Sequence, residues 1–278
     1  MSAGVLAAVL GAAFLHAGWN ALIKSGASKV GGMAIMTLVQ GLLGCAIALA
    51  YPLPDAAIWP WLLASGAFHA GYKLFLAFAY EQGDLSRVYP IARGAAPMIV
   101  LLVSPLLLAD VLRPAETLGV LVLGAGIATM AAGSLRAREA RRLVPYALGS
   151  ALMTAGYTIA DGSGARLSVA AAQYVAWLFI LDVVVFAPLI TVLRGVAIWR
   201  ADLRAWSLGA TAAAASYGAY AIAVWAMTVA PIALVGALRE TSILFAVLIG
   251  RMVLGERLDR WKLTAAILIV SGVALTRL

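Results

Sequence analysis

Three cations stand inside stretches of chain otherwise suited to oil: Lys73, Arg93 and Arg239. Arg93 follows Tyr-Pro-Ile and precedes an apolar run from Met98 to Ala109, broken only by Ser104 and Pro105. A guanidinium in such a place can hold a carboxylate, phosphate or phosphonate through two parallel N–H donors. Glu240 and Asp182 are acids in similar surroundings, and His16 and His69 can take up a proton near neutral pH. His16 and Asn20 are four residues apart with Trp19 beside them, and His69, Tyr72 and Lys73 share a helix face by the same spacing. Tyr217 and Gln40 add polar groups. These types suit the binding of a small anionic or zwitterionic organic solute. His16, Glu240 and Asp182 also suit the carriage of a coupling proton. The plainer reading makes each acid and histidine a satisfied polar partner between helices, with Arg93 snorkelling to the headgroups and Arg239 serving as helix glue.

The surrounding sequence decides what must position these groups. Of 278 residues 64% are hydrophobic and 12% charged, and the mean hydropathy is +1.00, more apolar surface than a soluble fold of this size can bury. Runs long enough to cross a bilayer, about 17–25 residues each, recur along the whole chain. They predict spans at Ala3–Ile23, Met33–Tyr51, Trp59–Tyr80, Ser86–Ala109, Thr117–Ser134, Val144–Ala165, Val169–Leu193, Ala205–Val229, Ile232–Val253 and Trp261–Thr276. The first has no basic leader and reads as a retained helix. The alternation of a transmembrane barrel is absent. A single cysteine, Cys45, excludes internal disulfides and thiolate clusters. Without HExxH or a P-loop, no metal, cofactor or enzymatic activity is expected. The net charge of +8 needs no nucleic acid to explain it, because 14 of the 20 Lys and Arg fall in odd-numbered loops or within three residues of them. Only Arg113, Arg166 and Arg277 fall in even loops or at the C-terminus. By the positive-inside rule odd loops are cytoplasmic and both termini lie outside.

The chain also repeats itself. Shifted by 146, Leu85–Ala132 overlays Pro231–Leu278 without a gap, matching Arg93 with Arg239 and Asp110 with Glu256. Shifted by 138, His16–Ala27 overlays Thr154–Ala165 and keeps the Ala-Gly-aromatic and Ser-Gly-Ala elements. The expected fold is therefore an all-α integral membrane protein: ten transmembrane helices in two inverted five-helix repeats, 1–138 and 139–278. An odd number of helices per half forces the inversion, and inverted repeats place a substrate site near the midplane. Arg93 and Arg239 would each lie roughly 10 Å deep, on opposite sides of that plane. Pro90 and Pro97 give the fourth span a place to bend.

With these features in view, the chain resembles the EamA family of the drug/metabolite transporter superfamily. The resemblance rests on Arg-Gly-x-x-Pro (Arg93 to Pro97) after YPI, LRETS from Leu238, and acidic-x-Leu at Asp110 and Glu256. HAGWNALIK from His16 and GDLSRVYPIARG from Gly83 are similar to a bacterial subgroup of that family. The resemblance implies a secondary transporter in the bacterial cytoplasmic membrane, moving a small organic metabolite by alternating access. The excess of cavity cations points to an anionic group, as in an amino acid, organic acid or phosphonate. A lipid-headgroup or amphiphile flippase on the same fold is the other reading. The expected partners are the solute and the lipid bilayer, with no nucleic acid, and the expected state is a monomer.

Overall fold

A computed structural model describes residues 1–82, 96–108, 110–135, 140–253 and 260–277. Arg93, Glu256 and the whole GDLSRVYPIARG stretch fall outside the described residues. Among the described residues every regular element is helical: α1 (Ala3–Ser25), α2 (Lys29–Ala48), α3 (Trp59–Gln82), α4 (Ala96–Leu107), α5 (Pro114–Leu135), α6 (Ala140–Leu167), α7 (Ala171–Arg194), a 3-10 turn (Val196–Trp199), α8 (Leu203–Val229), α9 (Ile232–Arg239), α10 (Ser242–Val253) and α11 (Arg260–Leu275). Six described helical segments are long and apolar enough to cross a membrane.

Local chemistry sets the ends. Ser2 and Ser28 cap α1 and α2 by accepting from Val5 N (3.3 Å) and Gly31 N (2.9 Å). Asp202 does the same for α8 through Ala205 N, at 2.8 Å. At α5, Pro114 opens the helix and Glu116 reaches back to the Arg113 backbone N–H at 3.0 Å. Gly195, at φ 75°, stops α7, a conformation that side chains resist.

One predicted span departs from expectation. Ile232–Val253 is not one continuous helix but α9 and α10, separated at Glu240 and Thr241. Here the backbone tightens to i→i−3 bonds, from Glu240 N to Ala237 O (3.0 Å) and from Thr241 N to Leu238 O (3.1 Å). The Thr241 hydroxyl also donates to Leu238 O at 2.7 Å, competing for the carbonyl that would continue the helix. LRETS is therefore a helix break.

Helices pair as α1 with α8, α2 with α7, α3 with α6 and α5 with α11, while α3 also crosses α7 and α2 crosses α8. The α5–α11 pair is backbone against backbone. A Cβ on Gly119 would stand 2.8 Å from Gly272 O, and one on Gly272 would stand 2.7 Å from Gly119 O. Such close approach is how membrane helices gain dispersion contact where no hydrophobic effect drives them together. The links sort into two faces. Arg277 donates to Met1 O (2.8 Å), Gln173 to Pro52 O (2.8 Å) and Ile232 N to Asp110 (2.7 Å), which gathers the ends of the chain and the even-numbered links on one face. The α1–α2 link meets the 3-10 turn on the other, around a cavity of about 300 Å³.

Polarity is inside out relative to a soluble fold. Leu49, Leu106, Val192 and Met252 are exposed, whereas Asn20, Gln40, Lys73, Asp161, Asp182, Arg239 and Glu240 are buried. Hydrocarbon is the solvent that favours this distribution.

Candidate functional site

The buried polar groups organise around one small cavity bounded by six helices. Its walls are His16 and Trp19 of α1, Met36 of α2, His69, Tyr72 and Lys73 of α3, Tyr157 of α6, Ser216 and Tyr220 of α8, and Arg239 of α9. Its volume is about 20 Å³, room for about one water. An organic solute needs several hundred Å³, so these walls must part for one to enter.

Helical spacing sets each wall. On α1, the Trp19 indole donates to His16 Nδ1 at 3.2 Å, and the Asn20 amide donates to the His16 carbonyl at 2.8 Å. On α3, Lys73 is fully engaged. Its three donors meet Thr37 Oγ1 (2.9 Å), Gln40 Oε1 (2.8 Å) and the Asp182 carboxylate. Thr37 gives its own proton to Met33 O, at 2.9 Å, and so offers the ammonium a lone pair.

One turn earlier, His69 Nε2 lies 3.1 Å from Asp161 Oδ2. Asp161 also accepts from Tyr174, at 3.1 Å on Oδ1, and from the Tyr220 hydroxyl on Oδ2. It is fully buried, and three donors from α3, α7 and α8 converge on it. Gly164 makes this possible: a Cβ there would lie 2.3 Å from the Tyr174 ring, so only hydrogen lets that ring close on α6. The imidazole stacks on Tyr157 with centroids 4.2 Å apart and meets Tyr220 edge-on at 4.9 Å.

Arg239 ends α9 at the helix break, 5% exposed, with its guanidinium 4.9 Å from the Tyr220 ring centroid. A cation at a helix C-terminus suits the helix dipole, and the ring face adds a cation–π contact. No ion pair joins Arg239 to a carboxylate among the described residues. Of the other basic side chains on the cavity, Lys73 is matched by Asp182 and His69 by Asp161.

Of the residues singled out from sequence, His16, Trp19, His69, Tyr72, Lys73 and Arg239 share this cavity. Asn20, Tyr217, Glu240 and Asp182 lie outside its lining, and Arg93 is outside the described residues. Tyr217 packs on Phe179 with centroids 4.9 Å apart, and Tyr220, one turn on, takes the cavity position. The expected surplus of positive charge is smaller than a residue count suggests, because Lys73 is neutralised where it stands. Asp161 was missed. It sits in the TAGYTIADGSGA repeat, where its position matches Ile23, and an acid inside a repeat element was the available signal.

A multi-pass helical membrane protein with buried ionisable groups at and behind a small interior cavity is the class that this fold and site define. Residues 142–278 match the model of the EamA-like transporter family, and by that module the chain belongs to the family. Membership makes it a membrane transporter of the drug/metabolite type. A solved structure titled only "Crystal structure of protein" is similar with a TM-score of 0.74, covering 99% of this chain and 98% of that one. At 21% identity that likeness concerns the fold alone. No curated protein matches the chain.

Proposed function

We propose that the protein is a secondary transporter that carries a small organic anion across a bacterial cytoplasmic membrane by alternating access, as a monomer with both termini periplasmic. The observation that carries the reading is Arg239: a buried, permanently charged guanidinium on a central cavity, without a carboxylate partner among the described residues. A bidentate acid group of the solute is its natural complement, whether from an amino acid, an organic acid or a phosphonate. The repeat matches Arg93 to it, so the two arginines form a pair that takes turns on the solute in the two halves of the cycle.

Two inverted five-helix repeats, 1–138 and 139–278, are the architecture of this proposal. What supports them is the pairing pattern. Exchange α1 with α6, α2 with α7, α3 with α8 and α5 with α11. The α1–α8 pair then becomes α6–α3, while α2–α7 and α5–α11 map onto themselves. What supports the orientation is charge: Arg113, Arg166 and Arg277 belong to the face of the termini, against 14 basic residues in the odd-numbered loops or within three residues of them.

The test is thermal unfolding of the purified protein against amino acids, organic acids and phosphonates, each beside its neutral amide or alcohol. A ligand at 100 times its Kd stabilises by about 2.7 kcal/mol. The acid is expected to raise the melting temperature, the neutral analogue to leave it unchanged, and Arg239→Lys to abolish the difference. Equal effects of acid and neutral analogue would overturn the reading.

A further inference from the structure

We propose that His69 and Asp161 form the proton-uptake site of this transporter, and that anion binding at Arg239 and proton uptake at His69 are one coupled event. The inference rests on Arg239 being the anion site. It places the coupling proton on a pair other than His16, Glu240 or Asp182.

Geometry joins the two events through one side chain. Tyr220 gives its hydroxyl to Asp161 Oδ2 and its ring face to the Arg239 guanidinium, 4.9 Å from the centroid. Arg239 and Asp161 thus share Tyr220 as a common neighbour, and no described carboxylate is paired with Arg239. An anion on Arg239 cancels that charge. The negative charge of the Asp161–His69 pair is then left uncompensated in a low-dielectric interior, which favours uptake of a proton by the pair. By linkage the reverse holds equally: a proton on the pair strengthens anion binding.

The proton has a place to go. His69 lines the cavity, so water admitted with the solute reaches the imidazole. With Nε2–H donated to Asp161, the ring nitrogen that accepts the proton from water is Nδ1. The imidazolium that forms stays paired with the Asp161 carboxylate, and no electrons move.

The other groups facing His69 fit a different task. On its own helix, Lys73 is committed to Asp182 of α7. Tyr157 of α6 lies under the imidazole as a stacking partner, and Tyr174 of α7 holds the far oxygen of Asp161. Tyr72 edges onto Tyr157, and Tyr217 packs on Phe179. His16 holds the Trp19 indole on the opposite wall, and Glu240 lies outside the lining. His69 combines an imidazole on the cavity with a buried carboxylate behind it.

The test reads protonation directly and needs no transported solute. The chain has 2 histidines, so 15N-imidazole spectra of the full-length protein in nanodiscs are assigned by His16→Gln. Spectra are recorded from pH 5 to 9, and the ratio of imidazolium to imidazole at His69 is compared between the variants. In Arg239→Gln the imidazolium should persist to a pH about one unit higher, a tenfold change within the ~5–150-fold range of site coupling. Asp161→Asn should lose it about one unit lower. Tyr220→Phe keeps the ring under the guanidinium and removes a donor from Asp161; it should move the curve the same way as Arg239→Gln and serves if that variant fails to fold. A His69 curve that is the same in all these proteins, or a ring that does not titrate, overturns the coupling and leaves the anion reading standing. Acid and neutral analogues stabilising equally would overturn the anion reading and with it the coupling, even where His69 still answers to Arg239.

Discussion

Arg166 and Asp110, separated by 56 residues, meet through two parallel hydrogen bonds of 2.7 and 3.1 Å. The pair is a junction of four elements. Arg166, at the end of α6, also donates to Met227 O (2.9 Å) and Ala230 O (3.0 Å) at the end of α8, and Asp110 accepts from Ile232 N (2.7 Å) at the start of α9. It closes the face that carries the termini. Arg166→Gln or Asp110→Asn should cost about 1–2 kcal/mol, the lower end for charge-assisted bonds because the pair is part exposed. That is a fall of about 2–8 °C in melting temperature, measured in detergent. An unchanged melting temperature in both variants would show that neither the ion pair nor the carbonyl contacts of Arg166 hold the junction.

The Lys73–Asp182 pair should be costly to break and cheap to replace whole. Lys73→Met alone leaves a fully buried carboxylate without its cation and should destabilise by about 3–5 kcal/mol. Lys73→Met with Asp182→Leu should recover most of that stability, since an apolar pair avoids desolvating two charges. The comparison is made by thermal unfolding of the single and double variants. A double variant no better than the single would contradict it.

Arg239→Lys separates binding from structure. It keeps the charge and loses the planar fork, so anion affinity should fall about ten- to a hundredfold, the worth of a charge-assisted bond. Arg93→Lys is expected to act in the same direction. A helix-glue role would instead lower expression and melting temperature with affinity unchanged in the folded protein, so ligand titration is read beside the melt.

Gly272→Val puts branched carbon where a Cβ already stands 2.7 Å from Gly119 O. The α5–α11 pair must separate, at a cost of about 1–3 kcal/mol. Gly18, whose Cβ would meet nothing within 4 Å, is the control, and Gly18→Ala should be near neutral or stabilising. Equal melting temperatures for the two variants would refute the close-packing account.

A fluorescent reporter that matures only in the cytoplasm, fused after Leu278, should stay dark. Bright cells would reverse the assignment of every loop.

The helices were legible because hydropathy is a local property: Trp59–Gln82 and Ala171–Arg194 announce themselves by length and composition. Rare charges in such runs, Lys73 and Arg239, were legible for the same reason. Which charges remain uncompensated was not, because Asp182 meets Lys73 across 109 positions of sequence and only packing brings them together. Asp161 stayed hidden because an acid four residues from the end of a span reads as a loop residue until Tyr174 and Tyr220 close on it. Tyr217 and Tyr220 sit one turn apart on the same face of α8, so phase alone does not choose between them; the neighbouring Phe179 and Arg239 do. The break at Glu240 and Thr241 lacks both Gly and Pro. It arises from a hydroxyl competing for a carbonyl inside a packed bundle, a contest that sequence patterns do not record and tertiary structure decides.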